Sequence, residues 1–256
     1  MSALLSITNL TKDFGGLRAV ADFRLALNEG DLAGLIGPNG AGKTTVFNLI
    51  TGTIPPTSGT IEFRDKSLVG LKPHKIAQRG IARTFQNIRL FNDLSVLDNV
   101  RIAYHPYAGY GLAEAVLRAP RFRKGEEALT EQARELLAVV GLEKRAQEAA
   151  RNLPYGDQRR LEIARALAVR PRLLLLDEPA AGMNPGEIER LMGLVRGIRE
   201  RFKLTILLIE HQMRFVMQIC ERLTVMDFGQ VIAEGTPQEV QADKKVVEAY
   251  LGKGPC

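Results

Sequence analysis

Cysteine is scarce in this sequence, and long apolar runs are absent from it. Only two of the 256 residues are cysteines, Cys220 and Cys256, and they lie far apart without the spacing of metal ligands. A disulfide framework is therefore excluded, and a reducing cytosol is the natural compartment for such a chain, with Cys220 half-buried and Cys256 free. The longest aliphatic runs, residues 173–176 and 206–209, are far too short to span a bilayer.

The first ten residues lack the features of a secretory signal peptide. They contain neither a basic n-region nor a sustained apolar core, so we expect no signal peptide and expect any membrane role to come through a partner protein. A large excess of charge of one sign is also missing, since the formal net charge is +6. That charge suits a phosphate ligand, an acidic lipid surface or an acidic partner, but it does not by itself indicate nucleic-acid binding.

A glycine-rich stretch over residues 37–45 has the pattern of a phosphate-binding loop: glycine, four residues, glycine, lysine and then threonine. Glycines let the backbone curl so that successive N–H groups point at one anion. Lys43 adds a positive charge for the β- and γ-phosphates, and the hydroxyl group of Thr44 can ligate Mg²⁺. The candidate nucleotide-binding residues are Gly37, Pro38, Asn39, Gly40, Ala41, Gly42, Lys43, Thr44 and Thr45.

The sequence on either side of this loop fits the same interpretation. Residues 31–36 are typical of a short buried strand, and residues 45–50 can open a helix whose N-terminal dipole faces the anion. The alternative is a glycine-rich turn without a ligand, but the flanking strand and helix favour the phosphate loop. We therefore predict that the chain binds a nucleoside triphosphate.

A second candidate site lies at the end of an unbroken leucine run. Residues 173–176 are four leucines without alternation, which indicates a strand buried on both faces of a parallel sheet. Asp177 and Glu178 follow at the strand end, where open α/β sheets place their ligands. Asp177 would hold Mg²⁺ through its water shell, and Glu178 would accept a proton from the attacking water or orient it. A salt bridge at the strand end is the alternative for either carboxylate alone.

Residues 88–157 have the character of a separate helical lobe. Ser95 can cap a helix over residues 96–104, and the apolar spacing over residues 126–140 predicts a second helix that ends at Gly141. Between these helices, residues 105–124 are rich in Gly, Pro, Tyr and Arg and are predicted to form a loop. The composition favours a solvated surface over a binding patch for its basic side chains, Arg118, Arg121, Arg123 and Lys124.

The remaining segments complete a mixed α/β chain. The N-terminal part is predicted to be a small antiparallel sheet, with strands over residues 4–10, 19–27 and 61–63 and a turn over residues 11–16. A strand over residues 80–85 follows a short helix over residues 73–79, and a helix is predicted over residues 159–169. The C-terminal part is predicted to contain a helix over 187–201, strands over 204–209, 222–226 and 230–233, and one last helix over 237–251.

Three single residues have two possible interpretations each. Phe14 precedes the phosphate loop and can either stack on a nucleobase or belong to the core. Gln86 follows a strand, where a single glutamine is usually an ordinary polar surface residue. His211 also follows a strand, at a place where a contact to the γ-phosphate would be needed. The residues alone leave these alternatives open.

Taken together, these segments resemble the ATP-binding-cassette (ABC) ATPases across nearly the whole chain. The motifs occur in the order of that family: A-loop at Phe14, Walker A at 37–45, Q-loop at Gln86, signature at 153–158, Walker B at 173–178, D-loop at 181–184 and H-loop at His211. The resemblance implies an α/β fold, a P-loop NTPase with a RecA-like core, an antiparallel β subdomain and an inserted α-helical subdomain. It places the core and the β subdomain in residues 1–87 and 158–256, and the helical subdomain, which ends in the signature, in residues 88–157.

By the same resemblance, the chain binds ATP and Mg²⁺ and hydrolyses ATP. Phe14 is implied to stack on adenine, Gln86 to contact Mg²⁺ and the attacking water, and His211 to contact the γ-phosphate. The implied catalytic residues are Glu178, Lys43, His211 and Gln86, and the implied metal-binding residues are Thr44, Gln86 and Asp177.

The signature motif departs from the Leu-Ser-Gly-Gly-Gln that is usual in the family. Pro154 replaces the serine, which removes a hydroxyl group and a backbone N–H, while Tyr155 replaces a glycine and Asp157 replaces the glutamine. Because a carboxylate beside a phosphate is repulsive, Asp157 is expected to point away, towards Arg159 or Arg160. In the family this motif contacts the ATP held by the opposite subunit, and the residues implied to do so here are Tyr155, Gly156 and Asp157.

Four stretches narrow the resemblance to the ATPases of branched-chain amino acid importers: residues 83–91, 155–165, 178–185 and 208–211. This implies uptake of leucine, isoleucine and valine by a peripheral ATPase on the cytoplasmic face of the inner membrane. The implied partners are a second cassette, identical or similar, two transmembrane permease subunits and an external substrate-binding protein, with no nucleic acid. The permease is implied to engage the groove between residues 86–99 and the helical lobe.

Two kinds of alternative remain for the function. Cassettes for urea or short amides, or for lipopolysaccharide export, are similar and would keep the chemistry while changing the cargo. A cassette ATPase that acts on DNA or ribosomes belongs to another class. Such proteins typically carry a fused second cassette or a long coiled coil, and neither pattern occurs in this sequence.

Overall fold

The computed structural model describes residues 3–251, and in that range the chain forms ten β-strands and ten α-helices. The first half contains β1 (Leu5–Phe14), β2 (Leu17–Leu27), β3 (Leu32–Ile36), α1 (Lys43–Ile50), β4 (Ser58–Phe63), β5 (Lys66–Ser67), α2 (Pro73–Gln78), β6 (Ile81–Arg83), α3 (Val96–Tyr104), α4 (Leu112–Val116) and α5 (Pro120–Val139). The second half contains α6 (Tyr155–Ala168), β7 (Leu173–Asp177), α7 (Pro185–Phe202), β8 (Thr205–Ile209), α8 (Met213–Ile219), β9 (Arg222–Asp227), β10 (Gln230–Gly235), α9 (Pro237–Ala242) and α10 (Lys244–Leu251).

A six-stranded sheet with the order β10-β9-β3-β8-β7-β6 forms the centre of the molecule. Its neighbouring strands are parallel except for the pair β9 and β10. Every residue of β3, β7 and β8 is buried, which confirms the prediction that the leucine run lies in a parallel sheet covered on both faces. Because parallel strands end at the same edge, this arrangement brings the segments that follow β3, β6, β7 and β8 together.

The N-terminal residues form an antiparallel sheet, as predicted, with four strands in the order β2-β1-β4-β5. Strand β5 was not predicted. The apolar face of this sheet packs with residues of α1 and one face of the central sheet in a single hydrophobic cluster, which includes Phe23, Phe47 and Phe63. The predicted turn over residues 11–16 is too long. Strand β1 continues to Phe14, because Lys12 and Asp13 still pair with β2, and only Gly15 and Gly16 make the turn.

The other face of the central sheet is covered by helices, and the predicted helical lobe lies on this side. The oxygen of Ser95 accepts the N–H of Asp98 at 3.0 Å and so caps α3 as expected, and Gly141 follows α5 with φ 72°. The buried apolar residues of α3 and α5 belong to the same cluster as those of α6, α7 and the sheet. The lobe therefore packs against the core through continuous apolar contacts rather than through a polar boundary.

Several helix boundaries differ from the sequence prediction. The predicted loop over residues 105–124 contains α4 and the first turn of α5, which begins at Pro120 instead of residue 126. Proline is favoured in the first turn of a helix, and the side chain of Glu114 accepts the N–H of Gly111 at the start of α4. The signature helix α6 begins at Tyr155 rather than residue 159.

The predicted single helix at the C-terminus is two helices. Asp243 has an extended backbone with ψ 121° between α9 and α10, and its carboxylate accepts the N–H of Lys245 at 2.8 Å. Helix α8 was not predicted. Cys220 is buried with a free thiol, whereas Cys256 lies outside the described residues. Across the described part of the chain, no helix combines the length and the apolar character that crossing a membrane requires.

Candidate functional site

The glycine-rich loop between β3 and α1 has the backbone shape of an anion cradle. Gly37 and Gly42 have positive φ angles, and a Cβ atom would lie 2.0 Å from the carbonyl oxygen of Met226 at Gly37 and 2.5 Å from that of Ala19 at Gly42. Only glycine fits at these two positions. Helix α1 begins at Lys43 without a side-chain cap, so the N–H groups of its first turn can bind an anion.

Lys43 lies over this loop and is buried. Its ammonium group donates hydrogen bonds to the carbonyl oxygens of Gly37 and Pro38, both at 2.7 Å. Burial lowers the pKa of Lys43, while the carboxylates of Glu178 and Asp177 act in the opposite direction. The positive charge is thus held at the mouth of the loop, where it can pair with a β- or γ-phosphate.

A cavity of about 410 Å³ opens above the loop. The structure brings together here most of the residues that the sequence predicted to bind or hydrolyse a nucleotide. The lining residues are Ala19, Asn39, Gly40, Ala41, Gly42, Lys43, Thr44, Thr45, Gln86, Glu178 and His211. The cavity is therefore the candidate nucleotide site.

Glu178 is the focus of the polar contacts at the far wall of this cavity. The amide of Gln86 donates to Oε2 at 2.9 Å, and Nε2 of His211 lies 2.8 Å from Oε1. Glu178 has a φ of 47°, a left-handed conformation that costs about 1–2 kcal/mol for a residue with a Cβ. Its N–H bonds to the carbonyl of Ile209, which holds that conformation in place. The carboxylate is thus fixed from both sides and directed into the cavity.

Asp177 is the buried neighbour of Glu178 at the end of β7. One carboxylate oxygen, Oδ2, pairs with Arg83 at 2.6 Å. The other, Oδ1, is buried and has no hydrogen-bond partner among the described residues. A buried carboxylate oxygen without a hydrogen-bond partner is the kind of ligand that Mg²⁺ prefers, and Thr44 in the phosphate loop offers a hydroxyl oxygen. The residues present therefore fit the predicted cation.

Four charged residues that support this site were not predicted from the sequence to do so. One is Glu210, which is buried and accepts the N–H groups of Ala180, His211 and Gln212 at 2.7, 3.0 and 3.3 Å. Burial raises the pKa of Glu210, and these amides oppose the rise. The other three are Arg83, Arg159 and Glu162. Arg83 and Glu162 are single charges among largely apolar neighbours, whereas Arg159 lies in a polar stretch and was expected only as a possible partner of Asp157.

The signature residues do not line the cavity of their own chain. Pro154 precedes the first residue of α6 without a side-chain cap bond, and Tyr155 is 43% exposed. Asp157 pairs with Arg160 and, at 3.6 Å, with Arg145, which confirms the expectation that its carboxylate turns towards a neighbouring arginine.

Phe14 is also not among the residues that line the cavity. It ends β1 with its side chain 47% exposed, and the ammonium group of Lys12 lies 5.0 Å from the centre of its ring. Its exposure shows that Phe14 is not a core residue. The interpretation of Phe14 as an adenine-stacking residue remains a prediction.

Comparison with known proteins gives consistent results over nearly the whole chain. A model of the ABC transporter family matches residues 20–181, and a model of the branched-chain amino acid ATP-binding cassette transporter family matches residues 230–255.

The chain is 46% identical over 250 residues to the high-affinity branched-chain amino acid transport ATP-binding protein LivG of Salmonella typhimurium, with 98% of both chains covered. It is 36% identical to the lipopolysaccharide export system ATP-binding protein LptB of Escherichia coli, again over 98% of both. A crystal structure of an ABC transporter cassette in its ADP conformation superposes with a TM-score of 0.85 at 32% identity, covering 99% of this chain and 100% of the other.

Proposed function

This chain is an ATPase that belongs to the ABC transporter family, and on that premise we propose that it powers the uptake of the branched-chain amino acids leucine, isoleucine and valine. The assignment of this cargo rests on the 46% identity to LivG over 98% of both chains, compared with 36% identity to the lipopolysaccharide exporter subunit. The match of residues 230–255 to the branched-chain amino acid family model supports the same cargo.

The proposed chemistry starts with the phosphate loop and Lys43, which bind the triphosphate and stabilise charge that develops in the transition state. Thr44 and Asp177 would hold Mg²⁺, with Gln86 close by. When bound, the ion neutralises phosphate charge and orients the nucleotide. In this proposal ATP lies against the wall of the cavity that the phosphate loop forms, and the residues of the opposite wall act on the attacking water.

Glu178 is the proposed general base at that opposite wall. Its carboxylate accepts a proton from the water that attacks the γ-phosphate, and the contacts from Gln86 and His211 hold each oxygen in position. Gln86 and His211 can also contact the water and the γ-phosphate, as the family resemblance implies. The strained backbone of Glu178 is consistent with a side chain placed for chemistry rather than for stability.

We propose that the signature residues Tyr155, Gly156 and Asp157 act on the nucleotide of a second cassette, identical or similar. They lie at the N-terminus of α6, a helix of fourteen residues, whose positive end favours an anion. Two permease subunits and an external binding protein would complete the transporter, with this chain as a peripheral subunit at the cytoplasmic face of the membrane. No nucleic-acid partner is part of the proposal.

The proposed permease contact is a groove of about 400 Å³ beside the segment that follows β6, lined mainly by residues of α2, β6 and α6 and by Arg89 and Ala103 of the helical lobe. Its walls combine apolar and charged side chains, including Phe85, Arg89, Ala103 and Arg165. The groove borders the Gln86 segment, so a segment of the permease seated there would be close to the residues that handle water.

The test is Mg²⁺-dependent ATPase activity of the wild type and of Glu178→Gln, with size-exclusion chromatography in ATP. We expect the wild type to hydrolyse ATP, and Glu178→Gln to be inactive and to dimerise with ATP. Glu189→Gln is the matched control, because Glu189 is exposed on α7 and pairs only with Arg214 among the described residues. Full activity of Glu178→Gln would overturn the base assignment. Uptake of labelled leucine by cells that carry each variant tests the cargo.

A further inference from the structure

Arg159 and Glu162 form an ion pair inside the signature helix α6. Nη1 of Arg159 lies 3.2 Å from Oε2 of Glu162, and the two side chains are 3% and 6% exposed. Charged groups are seldom buried so completely unless they have several partners. Those partners are found outside the helix.

The pair binds the backbone of the segment that leads to Gln86. Oε1 of Glu162 accepts the N–H of Phe85 at 3.0 Å, and Nη1 of Arg159 donates to the carbonyl oxygen of Phe85 at 2.7 Å. Nη2 of Arg159 donates to the carbonyl oxygen of Gln86. Strand β6 has ended at Arg83, so these two side chains take over the hydrogen bonds that a sheet would otherwise supply.

The same guanidinium group also reaches the exposed end of α6. Nε and Nη2 of Arg159 lie 3.2 and 2.9 Å from the hydroxyl oxygen of Tyr155. Tyr155 in turn packs against the loop after Glu178, since a Cβ added at Gly182 would lie 3.4 Å from its ring. One side chain therefore touches both the first residue of the signature helix and the residue whose amide contacts Glu178.

We propose that Arg159 and Glu162 are positioning residues for ATP hydrolysis, which couple the signature helix of this chain to Gln86 in its own nucleotide site. The inference rests on the proposed function, in which Tyr155 contacts the nucleotide of a second cassette. Docking of that nucleotide against α6 would hold Tyr155 and Arg159 in place. Arg159 would in turn hold Gln86, so that its amide stays hydrogen-bonded to Glu178. Each cassette would then complete its own nucleotide site only when its signature helix is engaged by the nucleotide of the other cassette.

The test is a double-mutant cycle on the full chain, since spatial proximity alone does not demonstrate coupling. Arg159→Gln is expected to lower kcat about tenfold or more, with KM for ATP changed less than threefold. In a Gln86→Ala background the same substitution should lower kcat less than twofold, because no amide remains to be positioned. Arg159→Lys keeps the charge opposite Glu162 and should restore part of kcat.

Arg199→Gln provides the matched control. Arg199 also donates to a backbone carbonyl, that of Gly30 at 2.7 Å, and pairs at 2.7 Å with Glu221, but at the opposite edge of the sheet. Its substitution should leave kcat unchanged in both backgrounds. Equal losses of kcat from Arg159→Gln with and without Gln86 would mean a structural role only and would overturn the proposal, as would an unchanged kcat in Arg159→Gln.

Hydrogen exchange supplies a readout that does not need hydrolysis. ATP should slow exchange of the peptide that contains Phe85 and Gln86 in the wild type, and should do so much less in Arg159→Gln, with Arg199→Gln behaving as the wild type. Equal protection by ATP in all three proteins would overturn the coupling. If leucine uptake fails while this pattern and the kinetic cycle hold, the proposed cargo falls and the coupling stands.

Discussion

Arg83 and Asp177 form a buried ion pair at the ends of two neighbouring strands, with Nη2 of Arg83 2.6 Å from Oδ2 of Asp177. Their side chains are 7% and 2% exposed. Nη1 of Arg83 also donates to Asn48 in α1 at 2.7 Å, and the rings of Phe47 and Phe85 lie 5.5 and 5.4 Å from the guanidinium carbon. The pair occupies one carboxylate oxygen of Asp177, and the other, Oδ1, has no hydrogen-bond partner among the described residues.

The first prediction concerns the stability of this pair. Arg83→Met should lower the free energy of unfolding by about 3–5 kcal/mol, because it leaves the Asp177 carboxylate buried without a counter-charge. Urea denaturation without Mg²⁺ measures the change, and adding Asp177→Asn should recover much of it. Arg151→Met is the control: Arg151 lies at the same 2.6 Å from Asp93, but the side chains are 63% and 83% exposed, so little change is expected. Equal effects of Arg83→Met and Arg151→Met would contradict the prediction.

Phe14 gives a prediction about nucleotide affinity. If its exposed ring stacks on adenine, Phe14→Ala should raise the Kd for ATP about tenfold, since a base–aromatic stack contributes roughly 1–3 kcal/mol. Leu17→Ala, at a residue that is 68% exposed on the same hairpin, should leave the Kd unchanged. Isothermal titration of both variants decides the point, and an unaltered Kd in Phe14→Ala would rule out stacking.

The proline of the signature motif leads to a prediction about rate. Pro154→Ser should raise the rate of ATP hydrolysis, because a serine at the start of α6 adds a hydroxyl group and a backbone N–H at the surface proposed to face the second nucleotide. Pro120→Ser is the control, since Pro120 begins α5 outside the signature. Steady-state ATPase assays compare the two variants with the wild type. An unchanged rate in Pro154→Ser would refute the prediction.

Cys220 provides a probe of global unfolding. Its thiol is buried, and burial raises its pKa, so the reactive thiolate is disfavoured in the folded state. In a Cys256→Ser variant, where Cys220 is the only cysteine, a thiol reagent at pH 8 should not label the folded protein and should label it as urea unfolds it. Rapid labelling without urea would show that the packing around Cys220 opens locally.

Much of the site could be predicted from the sequence because its residues follow strands of strong and simple pattern. The leucines of β7 indicate a buried parallel strand, and such a strand places Asp177 and Glu178 at a ligand-binding edge. Glycine at 37 and 42 is recognised because a phosphate loop has no room for a Cβ. In both cases the local sequence contains the reason for the structure.

Other parts of the site could not be predicted, because the partners lie far away in the chain and are backbone groups. Glu162 contacts the N–H of Phe85, which is 77 residues away, and every residue except proline carries such a group. Glu210 likewise binds the amide of Ala180, 30 residues earlier. The break at Asp243 was missed for a different reason: a local side-chain bond to Lys245 competes with a helix that the apolar pattern favours.

The strands that end in the nucleotide site all begin at the other edge of the sheet, and that edge is suited to spectroscopic labels. Lys203 is exposed there, in the turn before β8, and the five residues of β8, about 16 Å of strand, lie between it and the segment that carries His211. A fluorophore at this position would lie two residues before the start of a central strand. Distances between labels on two copies of the chain would therefore test the proposed approach of two cassettes, without disturbing the groups that bind and cleave ATP.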